Sequence, residues 1–324
     1  MTAVLDVSGL KTHFFTHAGV VKAVDGVDFT VQKGEVMGLV GESGSGKSIT
    51  GFSIIGLIDP PGRIVEGTIR FNGEDIANAP EERLKSVRGN RISMIFQDPM
   101  MTLNPVLRID TQMMEAILAH EAVSKQVAWE RCRDALALVG IPSPEERLRA
   151  YPHQLSGGMR QRVSIAIAFL NKPDLIIADE PTTALDVTIQ AQIIHEAQKL
   201  TRQTGTAMIW ITHDLAVVAG LADRISVMYA GRIVEQGLTD DIIDRPLHPY
   251  TVGLLGSVPT AHKRGERLYQ IEGMTPNMLA LPEGCAFSPR CAFASAACRI
   301  APPVEHVANR ELRCHHPQSQ AAAQ

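Results

Sequence analysis

No stretch of this sequence approaches the roughly 18 consecutive apolar residues that a membrane-spanning helix needs, so any contact with a bilayer is expected to pass through a partner. Basic charge is not in excess: 31 Lys and Arg stand against 35 Asp and Glu, a net charge of −4, which gives no global signal for nucleic acid. The start, Met1-Thr2-Ala3-Val4-Leu5-Asp6, lacks the basic and then apolar pattern of a secretory signal, so the expected compartment is the cytoplasm. Internal repeats are missing, and no low-complexity linker occurs outside residues 318–324. Disorder does not suit a chain that is 45% hydrophobic and 20% charged, and 324 residues suggest about two domains.

What is present reads first as short strands alternating with helices. Residues 27–31 alternate, and residues 36–40 form an apolar run leading into Gly41-Glu42-Ser43-Gly44-Ser45-Gly46-Lys47-Ser48, after which helical character continues to about residue 57. That octet fits G-x-x-x-x-G-K-[ST] in the strand–loop–helix context the motif requires. Glycine-permissive backbone lets Gly41, Ser43, Gly44, Ser45 and Gly46 turn their N–H groups toward phosphate oxygens. Lys47 supplies charge to the β and γ phosphates, Ser48 offers a hydroxyl to Mg²⁺, and Ile49 lies in the first helical turn. Residues 68–71 followed by Asn72-Gly73 predict a hairpin, as do residues 229–237. Residues 98–168 have helical periodicity, and strand–helix–strand alternation returns at 175–179, 187–200 and 207–212. The expected fold is therefore α/β, with a mainly parallel sheet core covered on both faces.

Asp179 ends the apolar run Leu175-Ile176-Ile177-Ala178, where a carboxylate emerging from a buried strand can hold Mg²⁺. Glu180 beside it is placed to act as general base toward a water. Ser156 opens a Pro-free segment as an N-cap, and Gly157 and Gly158 allow close approach to a phosphate. Together they read as a second anion site at a helix start, separate from the glycine loop.

The glycine loop, Leu155-Ser156-Gly157-Gly158-Met159-Arg160-Gln161-Arg162 and the Asp179-Glu180 pair together resemble the ATP-binding cassette superfamily over about residues 3–240. The resemblance implies ATP hydrolysis on a RecA-like P-loop fold, with a helical signature subdomain at about 98–168 and an N-terminal antiparallel β portion. It implies that Gln97 reaches metal and water and that its loop senses a transmembrane partner, while His213 contacts the γ-phosphate. Phe14, in His13-Phe14-Phe15-Thr16, becomes the candidate to stack on adenine, chosen over Phe15. It further implies a head-to-tail pair of cassettes in which each signature faces the other subunit's ATP, with Thr183-Ala184-Leu185-Asp186 lining the interface. A simple helix entry capped by Asp186 is the plainer reading of those four residues.

Beyond about residue 240 the chain turns Pro-rich and then Cys-rich. Arg245-Pro246-Leu247-His248-Pro249-Tyr250-Thr251 and Gly284-Cys285-Ala286-Phe287-Ser288-Pro289-Arg290-Cys291 extend the resemblance, across nearly the whole chain, to the oligopeptide/dipeptide importer ATPases. Residues 241–324 are read as a small C-terminal extension in which Cys285, Cys291, Cys298 and Cys314, spaced C-x₅-C-x₆-C-x₁₅-C, hold a four-iron [4Fe-4S] cluster. Zinc is the alternative, with His306, His315 or His316 able to replace a cysteine, although the short paired spacing usual for zinc is missing. The cluster is expected to be structural, tying down a tail with little apolar core, and Cys132 is expected to be a buried structural thiol.

The resemblance implies as partners a second ATPase subunit, identical or related, two transmembrane permease subunits at the cytoplasmic face of the membrane, and indirectly an extracytoplasmic solute-binding protein, with no nucleic acid. The competing class is a soluble cassette ATPase acting on ribosomes or DNA. Translation-type members carry two cassettes, whereas one is seen here, and the 57 residues from 98 to 154 are too few for the coiled-coil arm of the DNA-repair type.

Overall fold

The computed structural model describes residues 3–182, 186–257 and 270–318; Thr183, Ala184 and Leu185 of the anticipated interface loop lie outside the described residues. The chain forms two compact units, each drawn from separated stretches of sequence. Met1–Val4, Val31–Glu35 and Ala79–Ile209 make the first; Leu5–Thr30, Val36–Asn78 and Trp210–Gln324 make the second.

In the first unit the strands Ile92–Ile95 and Leu175–Asp179 pair in parallel, from Ile92↔Leu175 to Ile95↔Ala178. All five residues of Leu175–Asp179 are buried, the pattern of a parallel strand covered on both faces. The helices Ile109–Leu118, Lys125–Leu138, Pro144–Leu148 and Gly157–Phe169 pack around Met113, Ile117, Ala128, Cys132, Leu136 and Val163, all fully buried. Burial pushes the Cys132 thiol up to about 12, as a structural rather than a reactive thiol requires. Helix Val187–Thr204 begins at Asp186, whose carboxylate accepts from the Ile189 N–H at 3.0 Å, and ends at Gly205 in the left-handed region.

In the second unit Gly19–Val31, Leu5–Thr16, Gly62–Phe71 and Glu74–Asp75 form an antiparallel sheet in that order. The anticipated turn at Asn72-Gly73 is present, both residues having positive φ (49° and 87°). Strand Val36–Val40 pairs in parallel with Arg224–Tyr229, which turns at Ala230-Gly231 into the antiparallel strand Arg232–Leu238. The tail contributes two more strands: Arg310–Leu312 pairs with Glu235 and Gln236, and Glu305–Val307 pairs with Arg310–Leu312.

The tail is better anchored than its composition suggests. Arg310 donates to the Glu235 carboxylate at 3.2 Å, with the two side chains 2% and 0% exposed. The same carboxylate accepts the Leu247 and His248 N–H groups, each at 2.9 Å. The expectation of a tail with little apolar core is thus corrected in part: Tyr250, Phe287, Cys298 and Leu312 are buried, and a buried polar network around Glu235 adds to them.

Candidate nucleotide-binding site

The apolar strand Val36–Val40 delivers the glycine loop, and helix Lys47–Ile54 leaves it. Gly41, Gly44 and Gly46 have φ of 156°, 78° and 105°. A Cβ on Gly41 would lie 2.2 Å from the Met228 carbonyl oxygen, and one on Gly46 2.2 Å from that of Ala23, so strand and loop backbones touch where a side chain cannot enter. Lys47 is 5% exposed, and its ammonium donates to the Gly41 oxygen at 2.8 Å and the Glu42 oxygen at 3.0 Å. The Ser45 hydroxyl is buried without a partner among the described residues, as suits a group whose acceptor is an incoming anion.

Beside Ser43, Gly44 and Ser45 a cavity of about 80 Å³ is closed by Tyr229, Ala230 and the tail residues Thr275, Pro276 and Met278. A second cavity of about 390 Å³ shares Tyr229, Ala230 and Met278 and extends to Val20, Lys22 and Leu279. Phe14 is not among the described residues lining either one. Its ring lies across Gly62, where a Cβ would come within 2.5 Å, while Arg63 sits 4.4 Å over the ring of Phe15. His213 is exposed and stands between strand Ala207–Thr212 and helix Leu215–Ala219.

In the first unit Asp179 is 4% exposed at the end of its strand, and Glu180 follows with φ of 45°. A left-handed glutamate costs of order 1–3 kcal/mol, a strain typical of functional positions. Gln97 Nε2 donates to Glu180 Oε2 at 3.3 Å, bringing together two of the residues singled out in the sequence. That amide nitrogen is committed to the carboxylate, which makes the amide oxygen the atom Gln97 can offer a cation. No sequence signal announces either the strain or the pairing.

Ser156 is the N-cap of helix Gly157–Phe169, its hydroxyl accepting from the Met159 N–H at 3.3 Å. The two glycines differ. A Cβ on Gly157 would meet nothing within 4 Å, whereas one on Gly158 would lie 3.1 Å from Ile189 Cγ2.

Cys285, Cys291, Cys298 and Cys314 are free thiols in the second unit. Burial raises Cys285 and Cys291 and pushes Cys314 up to about 11; Cys314 also lies within electrostatic reach of the other three. Among the described residues no group of three His, Cys, Asp or Glu side chains is set to hold a metal ion. No helix among them is long and apolar enough to cross a membrane.

Comparison with known proteins places this geometry. Residues 24–183 match the ABC transporter family, and residues 234–298 match the oligopeptide/dipeptide transporter C-terminal region. The chain is 49% identical over 314 residues to the oligopeptide transport ATP-binding protein OppD of Salmonella typhimurium, covering 97% of this chain and 93% of that one. It is 50% identical over 299 residues to the dipeptide transport ATP-binding protein DppD of Bacillus subtilis, covering 92% and 89%. Among solved structures, the ATP-binding cassette MJ0796 in a dimeric post-hydrolysis state with ADP and Pi superposes with a TM-score of 0.66 at 26% identity, covering 72% of this chain and 98% of that one. CbiO1 of Clostridium perfringens, part of the ABC transporter complex cbiONQ, gives 0.64 at 26% identity, covering 75% and 92%. Matched nearly end to end by such relatives, with both the cassette and the C-terminal region accounted for, this chain belongs to the ATP-hydrolysing, ATP-binding subunits of the oligopeptide/dipeptide ABC transporter family.

Proposed function

We propose that this chain is the ATP-hydrolysing motor subunit of a membrane importer for peptides or related small solutes, one of two cassettes that ATP draws together head to tail. It works at the cytoplasmic face of the membrane on two permease subunits, which an extracytoplasmic solute-binding protein supplies. Residues 1–240 are the motor and residues 241–324 its extension. The observation that carries the reading is the Gln97–Glu180 contact behind a buried Asp179, in a chain that also carries a glycine loop and a separate capped helix start at Ser156.

Gly41, Ser43, Gly44, Ser45, Gly46 and Ile49 surround the phosphates with the loop and the first turn of its helix, and Lys47 gives up its carbonyl partners for the β and γ oxygens. A hydroxyl, an amide oxygen and a carboxylate are the hard oxygen donors Mg²⁺ prefers, so Ser48, Gln97 and Asp179 would hold it. Mg²⁺, when bound, neutralises charge on the transferring phosphoryl group. Gln97 orients Glu180 and the attacking water, and His213 contacts the γ-phosphate. Glu180 accepts the water's proton as the water oxygen bonds to the γ-phosphorus, and the bond to the bridging oxygen breaks with its electron pair leaving on ADP. Phe14 stacks on the base, Asp186 holds the entry of the interface loop, and Ser156, Gly157 and Gly158 face the ATP of the opposing cassette. ATP therefore favours the closed pair and hydrolysis the open one, a two-state element coupled to the permease.

Cys285, Cys291, Cys298 and Cys314 would hold a [4Fe-4S] cluster in the same proposal. What supports it is the donor set: four cysteines free of disulfides, the number of thiolates such a cluster takes. Zinc, which four thiolates also suit, is the alternative.

The test separates binding from turnover. Glu180→Gln should keep ATP affinity within about twofold and lower hydrolysis in the assembled transporter by about 100-fold or more. Lys47→Ala should weaken binding itself. Near wild-type hydrolysis by Glu180→Gln would remove Glu180 as the base.

A further inference from the structure

Glu42, the second residue of the glycine loop, is a junction. Its carbonyl oxygen accepts the Lys47 ammonium at 3.0 Å and the Ser45 N–H at 3.2 Å, so its position sets both the perch of the lysine and the bend of the loop. Its N–H donates to Tyr250 Oη at 2.8 Å. Its carboxylate receives both arms of Arg290, at 2.6 and 3.0 Å. Every group that Glu42 offers is therefore engaged, and two of its partners come from beyond residue 240.

Arg290 is built to stay in place. Its side chain is 6% exposed, its Nε donates to the Glu272 oxygen at 3.0 Å, and its guanidinium lies 6.0 and 5.9 Å from the Tyr229 and Phe287 ring centroids. Tyr229, Tyr250 and Phe287 form a mutual ring cluster with centroids 4.6 to 5.4 Å apart. Tyr229 follows directly on Met228, whose carbonyl oxygen abuts Gly41. The Glu42 contact raises the Arg290 pKa further, so the cation persists at any physiological pH.

We propose that the C-terminal extension braces the phosphate loop: Arg290 and Tyr250 are positioning residues that act on ATP through Glu42. They touch no nucleotide themselves; they hold the turn whose amides and lysine do. The inference rests on the glycine loop binding ATP and adds that the affinity of the loop is set in part from about 250 residues away in sequence.

The test is a double-mutant cycle on the full chain in the assembled transporter, reading equilibrium ATP affinity with a fluorescent analogue, KM, kcat and Tm. Arg290→Met and Glu42→Gln should each raise Kd and KM about tenfold with kcat within about twofold, and the double variant should also be about tenfold rather than about 100-fold weaker. Arg290→Lys, which keeps the charge but not the two-armed geometry, should recover part of the loss. Should Arg290→Met fail to fold, Arg290→Lys and Tyr250→Phe carry the test, each expected to raise Kd about threefold with Tm close to that of the parent. Wild-type Kd in those folded variants, or additive losses in the double variant, would overturn the brace. Lys47→Ala separates the two readings: ATP binding retained there sinks the glycine-loop assignment, whereas binding lost there but unchanged in Arg290→Met sinks the brace alone.

Discussion

Replacing Gly157 with Asp puts the trans arrangement of the two cassettes to a clean test, and the structure shows why Gly157 rather than Gly158 should be changed. An aspartate at Gly158 would press its Cβ to 3.1 Å from Ile189 Cγ2, so any loss of function could come from local repacking. At Gly157 the added Cβ meets nothing within 4 Å. The position is the first residue of helix Gly157–Phe169, where a carboxylate is favoured by the helix dipole by about 0.3–1 kcal/mol. The isolated chain should thus be as stable as the parent or slightly more so. In a closed pair the carboxylate would face the partner's γ-phosphate, and two like unit charges about 4 Å apart in a medium of effective dielectric about 20 repel by about 4 kcal/mol. That corresponds to about a 1,000-fold loss in the closing equilibrium. ATP affinity and ATP-induced dimerisation should be measured on the same preparation, in a Glu180→Gln background that stops turnover. Unchanged affinity with dimerisation lost is expected. Normal dimerisation, or affinity falling in step with it, would rule out the trans arrangement.

Three further outcomes follow from separate parts of the molecule. Protein purified without oxygen should be brown, with about four iron and about four acid-labile sulfide per chain, whereas colourless protein with one zinc would replace the cluster by a zinc site. Gly46→Ala should combine positive-φ strain with the 2.2 Å clash against the Ala23 oxygen, lowering Tm by roughly 10 °C and abolishing ATP binding, while Gly44→Ala, with open space around it, should cost only about 1 kcal/mol. Burial pushes His248 down to about 3 from an ordinary 6.5, so its contribution is complete above pH 6.5 and is lost as pH falls toward 3; chemical denaturation at pH 7 and 5 should show about 2 kcal/mol lost through this group, and His248→Asn, which keeps an acceptor for the Tyr250 N–H, should remove that loss.

The glycine loop was legible because its backbone conformation fixes glycines at set intervals between an apolar strand and a helix. The same holds for Ser156, an N-cap recognisable before a helical run, and for the Asn72-Gly73 turn between alternating strands. Asp179 could be placed because a fully apolar run must be a buried strand that ends somewhere. What could not be read depends on residues distant in sequence. The pairing of Gln97 with Glu180 spans 83 positions and that of Arg290 with Glu42 spans 248, and neither leaves a local pattern. The two units are interleaved along the chain, so a linear division at residue 240 does not reveal them. Likewise, Gly157 and Gly158 look equivalent until Ile189, on another helix, is seen beside one of them. Phe14 and Phe15 were separated only by resemblance, because both alternate on one strand; the structure sets one ring over Gly62 and the other under Arg63.

In the proposed function, ATP hydrolysis by this chain drives import. Its most direct test is uptake of a labelled di- or oligopeptide by proteoliposomes holding the complete transporter and its binding protein, with ATP supplied only on the side this chain faces. The expected result is ATP-dependent accumulation that disappears with Glu180→Gln while ATP binding remains. Peptide uptake unaffected by that substitution, or an ATPase that responds to ribosomes or DNA and not to the permease, would contradict it.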